Sequence, residues 1–269
     1  MTFQHQGKQI YYESHGQGKP LLLLNGIMMT CASWAPFLKA FTESGTQVIL
    51  LDLMDQGQTS VFEEGYDIAG QASLCAALLD HMGIEKADVL GTSYGGTVAL
   101  TLALNYPGKV NSLLLAATRA WTDPLFRDMC ESWIHALATP QAFYTATIPL
   151  FYGATFQANS REWMAERRKL LEKTVFVDPD FLSRMKRLII SIQEFDLRDQ
   201  LHHIACPCLL LTADEDLVMM PWEQERIAQA MPNCELMTLR KTGHVLFQER
   251  PALFISIVMG WVHHRSEPS

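Results

Sequence analysis

The sequence predicts an α/β fold in which a mostly parallel central sheet carries helices on both faces. Short apolar runs alternate with helical patterns over residues 1–120 and return over residues 201–269. The runs assigned to strands are also apolar throughout, as expected when both faces of a parallel sheet are covered. The predicted strands are residues 10–12, 21–24, 48–51, 88–90, 110–116, 208–212 and 236–239.

The predicted helices fall between these strands. Residues 34, 37, 38 and 41 are all apolar and lie at i, i+3, i+4 and i+7, which places them on one helix face. The same reasoning predicts a helix that ends near residue 82. The remaining helices of this part of the chain are predicted at residues 95–105, 222–230 and 254–261.

Residues 121–200 differ from the rest, because they contain helical patterns and no strand-like run. Helical faces occur over residues 129–137 and 181–192. Residues 161–173 are rich in charged side chains, which predicts a helix exposed to solvent. The simplest interpretation is one core domain, formed by residues 1–120 and 201–269, with residues 121–200 inserted as a helical cap.

Composition and charge disfavour several classes of protein. Hydrophobic residues make up 48% of the 269 residues, and the net charge is −8 without a basic run. An acidic chain of this kind offers no footprint for nucleic acid or an anionic membrane surface. The N-terminal sequence lacks the pattern of a signal peptide, and the apolar stretch near it is too short to span a bilayer. Six dispersed cysteines do not suggest a disulfide scaffold, so we expect a reduced, cytoplasmic protein without membrane insertion.

The segment 91–96 (GTSYGG) follows a predicted strand and opens a predicted helix. G-x-S-x-G at such a junction is typical of a nucleophile elbow, a tight turn that exposes the serine hydroxyl above the sheet. We expect Gly91 and Gly95 to relieve clashes with Ser93. The helix N-terminus would direct the backbone N–H of Tyr94 to the same place, as an oxyanion donor. The alternative is a glycine-rich turn with an incidental serine.

Two later segments supply what a serine nucleophile requires, namely a general base and an acid that orients it. His244 lies just after the last predicted strand, at a loop from which it can reach back to Ser93. Asp214 and Asp216 follow the strand at residues 208–212, at the sheet edge where ligand sites of open α/β sheets gather. No histidine pair has metal-site spacing with a carboxylate, so no metal is expected.

These segments together resemble the α/β-hydrolase superfamily over nearly the whole chain. The resemblance implies the α/β-hydrolase fold, with a helical cap between the sixth and seventh core strands. It implies that Ser93 is the nucleophile and His244 the general base. Asp216 would be the acid, with Asp214 as the competing candidate. The second oxyanion donor would be the backbone N–H of Ile27, and the chemistry needs no cofactor.

Two segments depart from the superfamily's usual pattern. Asn25-Gly26 stands where His-Gly is usual, and residues 52–57 read DLMDQG in place of D-x-R-G-x-G. The first change leaves the backbone donor intact, since only the side chain differs. Residues 25–34 (NGIMMTCASW) are similar instead to a stretch of bacterial 3-hydroxyacyl transacylases and lipid-precursor synthases, which also place an aromatic residue after the nucleophile, as Tyr94 does here.

The resemblance implies an enzyme that acts on a small-molecule acyl substrate. We expect a serine hydrolase that cleaves a small carboxylic ester or lactone through an acyl-enzyme. The alternatives are an acyltransferase or thioesterase acting on (3-hydroxy)acyl chains, a C–C hydrolase, a cofactor-free haloperoxidase or perhydrolase, and a non-catalytic ligand receptor. An aromatic-rich cap and flexible methionines beside the site favour an apolar acyl group. The residues expected to contact substrate are Asn25, Met28, Trp121 and Met219.

Overall fold

The structure is a computed structural model that describes residues 1–264, so residues 265–269 of the predicted core segment lie outside it. Eight strands form one sheet, in the order β1-β2-β4-β3-β5-β6-β7-β8. The strands are β1 (Thr2–His5), β2 (Lys8–His15), β3 (Lys19–Leu24), β4 (Thr46–Leu51), β5 (Ala87–Thr92), β6 (Val110–Ala116), β7 (Cys208–Ala213) and β8 (Cys234–Leu239). Strands β3 to β8 pair in parallel, whereas β2 runs antiparallel to both of its neighbours. The prediction of a mostly parallel sheet is therefore confirmed.

Helices connect the strands and cover the sheet. Those outside the β6–β7 connection are α1 (Ala35–Thr42), α2 (Ile68–His81), α3 (Tyr94–Asn105), α9 (Pro221–Ala230), α10 (Leu246–Glu249) and α11 (Pro251–His264). The connection between β6 and β7 contains α4 (Pro124–Ala136), α5 (Pro140–Phe151), α6 (Ala154–Asn159), α7 (Arg161–Leu170) and α8 (Pro179–Ile192). The sequence did not predict β1, α5, α6 or α10. Pro149 lies inside α5 and interrupts its pattern, and the other three elements are short.

The core has two parts, one on each face of the sheet. Successive side chains of a strand point to opposite faces. In β3, Leu22 and Leu24 pack with α2 and α3, whereas Leu21 and Leu23 pack with α1 and α11. All four leucines are buried, which explains why the strands look apolar throughout. The helices of the β6–β7 connection join the first of these two clusters.

Polar contacts hold the β6–β7 helices at the carboxyl edge of the sheet. Arg187 on α8 donates to both carboxylate oxygens of Asp55, in the loop after β4, at 2.7 and 2.9 Å. The backbone N–H of Thr155 on α6 donates to Glu215, just after β7, at 2.7 Å. These contacts place helices α4 to α8, called the helical layer below, over the ends of the strands. The domain division at residues 121 and 200 stays a prediction.

Candidate active site

The turn between β5 and α3 has the geometry of a nucleophile elbow. Ser93 stands between the two elements with φ of 52°, a left-handed conformation that is unfavourable for a residue with a side chain. A Cβ atom on Gly91 would lie 2.5 Å from the carbonyl oxygen of Gly95, and one on Gly95 would lie 2.2 Å from that of Leu24. The glycines therefore permit close approach of backbone to backbone. The clashes that the two glycines avoid are therefore with these backbone atoms, and not with Ser93 as the sequence suggested.

Three side chains predicted from the sequence come together above this turn. Ser93 Oγ and His244 Nε2 are 2.9 Å apart, and His244 Nδ1 lies 2.9 Å from Asp216 Oδ2. His244 and Asp216 are both buried, so water does not compete for the hydrogen bond between them. The arrangement is that of a serine, a base that can accept its proton, and an acid that orients the base.

The structure also separates the two candidate acids. Asp216 is buried, and its Oδ1 accepts hydrogen bonds from the backbone N–H groups of Val218 and Met219, at 2.8 and 2.9 Å. This leaves Oδ2 directed at the imidazole. Asp214 is exposed and pairs instead with Arg240 at 3.1 Å, so it makes no contact with His244.

The backbone N–H groups of Ile27 and Tyr94 lie beside the serine. Both residues line the same small chamber as Ser93. Within the described part of the chain, neither N–H donates to a protein acceptor, which leaves both open to a substrate oxygen. The carbonyl oxygen of the Gly26–Ile27 peptide accepts hydrogen bonds from Gln56 Nε2 and from the backbone of Met29, each at 3.0 Å.

The side chain of Tyr94 links this turn to the helical layer. Its hydroxyl lies 2.7 Å from the hydroxyl of Ser191 on α8, and Gln71 donates to it at 3.3 Å. Burial raises the pKa of the Tyr94 phenol, so the hydroxyl stays protonated and available as a donor. The residue after the serine therefore contributes a side-chain contact as well as its backbone N–H.

Two cavities have Ser93 and His244 in their walls. The larger has a volume of about 100 Å³ and is lined partly by apolar side chains, among them Met28, Ile148 and Phe151. The smaller, of about 20 Å³, is lined by Met219 and by apolar side chains of α4. The ring centroid of Phe151 is 5.4 Å from that of His244, so α5 covers the histidine directly.

Of the four residues expected to contact substrate, Met28 and Met219 line these cavities, whereas Asn25 and Trp121 do not. Substrate contact by Asn25 stays a prediction, and the structure shows that its amide is buried and hydrogen-bonded to protein groups. It donates to Leu51 O and Gln56 Oε1 and accepts from the indole N–H of Trp34, at 2.7 to 3.1 Å. Asn25 therefore supports the loop that carries Ile27 without facing the cavity.

Trp121 likewise lies outside the walls of both cavities. It is buried, forms an isolated bridge with Asp196 and packs against the ring of Trp222 at a centroid distance of 6.5 Å. These contacts fix the start of the β6–β7 connection on the core. The side chain is consequently structural.

Sequence reasoning missed two residues at the site. Gln56, in the loop that departs from the superfamily pattern, holds the Gly26–Ile27 peptide. Arg167 belongs to the charged run expected to face solvent. That expectation is confirmed for most of α7, which has no buried residue, but Arg167 is half-buried and lines the larger cavity. Charge pattern alone gives no signal for this inward orientation.

Residues 1–264 contain neither a membrane-spanning helix nor a cluster of metal-ligating side chains. None of the helices in that part of the chain is long and apolar enough to cross a membrane. The same residues contain no group of three or more histidine, cysteine, aspartate or glutamate side chains that could hold a metal ion.

Comparisons with known proteins identify the family. The model of the alpha/beta hydrolase family matches residues 21–257. A relative from Azorhizobium caulinodans, named "Putative carbamate hydrolase RutD", is 29% identical over 268 residues, which cover 97% of this chain and 98% of the relative. The crystal structure of MGS-M2, an alpha/beta hydrolase enzyme from a deep-sea metagenome library, is 33% identical with a TM-score of 0.96, and the match covers 100% of this chain and 98% of that one. An enol-lactonase from Burkholderia xenovorans, 20% identical with a TM-score of 0.83 over 98% of this chain and 100% of that one, shares the fold. This chain belongs to the alpha/beta hydrolase family and is a hydrolase.

Proposed function

We propose that this hydrolase cleaves a small carboxylic ester or lactone, with Ser93 as nucleophile, His244 as general base and Asp216 as the orienting acid. The observation that carries the proposal is the continuous hydrogen-bonded series from Ser93 Oγ through His244 to Asp216 Oδ2, with both donor–acceptor distances at 2.9 Å. A serine hydroxyl is a weak nucleophile unless a base accepts its proton, and this series supplies the base and its orientation.

The reaction begins when Ser93 Oγ attacks the carbonyl carbon while its proton passes to His244 Nε2. The Asp216 carboxylate accepts the Nδ1–H hydrogen bond and stabilises the imidazolium. The tetrahedral oxyanion accepts hydrogen bonds from the backbone N–H groups of Ile27 and Tyr94. Its collapse breaks the bond to the leaving oxygen, which takes the proton from His244. Water then attacks the acyl-enzyme by the same steps, releasing the acid and restoring Ser93.

The size of the cavities supports a small substrate. One water molecule needs about 10–15 Å³ of cavity volume, so the larger cavity, of about 100 Å³, has room for fewer than about ten groups of that size. The smaller chamber of about 20 Å³ holds about one. An acyl group of a few carbon atoms fits this space, whereas a long fatty acyl chain requires the helical layer to move. The name of the Azorhizobium relative adds a small carbamate to the substrates worth assaying.

Covalent labelling tests the proposal. The intact mass of the protein is measured after exposure to a fluorophosphonate, with Ser93→Ala as the control. We expect one adduct on the wild-type protein and none on the variant. A folded protein that gains no adduct, or a Ser93→Ala variant that is labelled and still cleaves esters at the wild-type rate, would refute the assignment of the nucleophile.

A further inference from the structure

The wall of the larger cavity contains one fixed positive charge. Arg167 supplies the only carboxylate, ammonium or guanidinium group among the described residues that line this cavity. Its Nε is buried and has no hydrogen-bond partner within residues 1–264. Arg167 is only half-buried, so the cavity leaves part of its side chain accessible to a bound molecule.

The neighbouring cations on α7 differ from Arg167 in this respect. Arg168 pairs with Glu172 at 2.7 Å, and Lys169 pairs with Glu166 at 2.6 Å. Arg167 forms no ion pair within the described part of the chain, although acidic side chains surround its helix. Its charge is therefore not neutralised by the protein.

The surroundings hold the guanidinium at the cavity. It lies 5.8 Å from the ring centroid of Trp163 and next to the phenol of Tyr152. Burial raises the pKa of Tyr152 to about 12, and the positive charge of Arg167 acts in the opposite direction. The Tyr152 hydroxyl donates to Gln248 Oε1 at 2.6 Å, and its oxygen also interacts with the Arg167 guanidinium. These contacts hold the guanidinium in the wall of the cavity that contains Ser93.

Glu249, whose charge also acts on Tyr152, already has hydrogen-bond partners. Glu249 Oε1 accepts from the backbone N–H of Gly153 at 2.9 Å, and its Oε2 accepts from that of Gly243 at 3.0 Å. Burial raises the pKa of Glu249, which weakens it further as a partner for a cation. Glu249 is therefore a weak competitor for Arg167, which forms no ion pair within residues 1–264.

We propose that Arg167 binds a carboxylate at the end of the substrate that is remote from the ester carbonyl. The planar guanidinium matches a carboxylate with two parallel N–H···O bonds. The substrate class is then a short ester or lactone that carries a second, ionised carboxyl group. The cavity volume of about 100 Å³ keeps the two functional groups only a few bonds apart. This inference rests on the proposed function and specifies its substrate.

The test compares two esters of nearly equal shape. Monoethyl succinate carries a carboxylate, and ethyl levulinate replaces one carboxylate oxygen with a methyl group. Ethanol release is measured for the wild-type protein, Arg167→Met and Arg167→Gln. The matched control is Arg168→Met, which removes the adjacent cation that is paired with Glu172. We expect the kcat/KM for monoethyl succinate to fall roughly 10–100-fold in both Arg167 variants, while ethyl levulinate stays within about threefold.

Binding provides a second readout that does not need turnover. The Kd of monoethyl succinate is measured by calorimetry in the Ser93→Ala background, with and without Arg167→Met. We expect it to rise by the same 10–100-fold, and Arg168→Met to leave it unchanged. Equal preference for the two esters in the wild-type protein, or Arg167 variants that keep the wild-type preference and Kd, would overturn the proposal. If the wild-type protein is not labelled by fluorophosphonate but binding of monoethyl succinate still depends on Arg167, the proposed function is refuted and the carboxylate site is retained.

Discussion

Replacing Gln56 with methionine tests how the protein positions Ile27, one of the two proposed oxyanion donors. The peptide between Gly26 and Ile27 is trans, so its C=O and N–H point in opposite directions. Gln56 Nε2 donates to the carbonyl at 3.0 Å and thereby fixes the direction of the Ile27 N–H on the other side. Methionine fills the same space and offers no donor. Gln56 touches no substrate in this arrangement and acts through Ile27, as a positioning residue.

The expected loss follows from what remains after the change. Complete removal of an oxyanion donor lowers kcat by roughly 10²–10³. The backbone N–H of Met29 still holds the Gly26 carbonyl at 3.0 Å, so the peptide keeps one of its two supports. We therefore expect kcat to fall about tenfold, or about 1.4 kcal/mol in the barrier. The stabilisation exists only in the transition state, so kcat and kcat/KM fall together and KM changes little.

The matched control is Gln71→Met. Gln71 is also buried, and its amide bonds to the backbone of Met54 and to the phenol of Tyr94, with no bond to the Gly26–Ile27 peptide. Both variants should lose about 1–3 kcal/mol of the free energy of unfolding, because each leaves buried backbone groups unpaired. Steady-state hydrolysis of a small ester and urea unfolding are measured for both. Equal losses of kcat in the two variants, or a wild-type kcat for Gln56→Met, would refute the reasoning.

Two further predictions concern single carboxylates. Asp216→Asn should lower kcat by a factor on the order of 10⁴, because the imidazole of His244 then adopts the wrong tautomer. Asp214→Asn should leave kcat within about threefold of the wild-type value. Equal losses of kcat in steady-state assays of the two variants would contradict the choice of acid. Burial raises the pKa of Glu223 to about 7 although Arg119 lies 3.1 Å away. Between pH 4.5 and about 7 the folded protein retains the Glu223 proton, whereas the unfolded chain, in which the pKa has its ordinary value of 4.5, releases it. The free energy of unfolding should therefore decrease as the pH rises from about 4.5 to about 7. Urea unfolding of Glu223→Gln at several pH values should show a change in the free energy of unfolding over this pH range that is smaller by roughly 1–3 kcal/mol than in the wild-type protein. The same pH dependence in both proteins would contradict the prediction.

The parts of the fold that could be predicted are those where burial leaves a repeated pattern. Strand β3 is readable because all four of its leucines are buried, two on each face. Strand β1 was missed because it has four residues, of which only Phe3 is buried. The elbow is equally readable, since close backbone contacts leave no room for a Cβ at Gly91 or Gly95.

The site was only partly predictable, because sequence places a residue in a loop without giving the direction of its side chain. Asp214 and Asp216 follow the same strand, and only the turn that brings two backbone N–H groups to Asp216 distinguishes them. Asn25 lies two residues before Ile27 in sequence, yet its amide faces the protein interior. Arg167 is one of several adjacent charges, and the docking of α7 decides which of them faces the cavity.

The carboxylate of Glu249 joins the helical layer to the loop that carries His244. Glu249 accepts hydrogen bonds from Gly153, at the end of the α5–α6 turn, and from Gly243, which precedes His244. The carbonyl of Phe151 also accepts from the backbone N–H of the residue after His244, at 3.1 Å. A movement of the helices that opened the cavity widely would break these bonds or carry the histidine with it, away from Ser93. The arrangement therefore favours a substrate small enough to enter while the helical layer stays in place, in agreement with the small cavity above the serine.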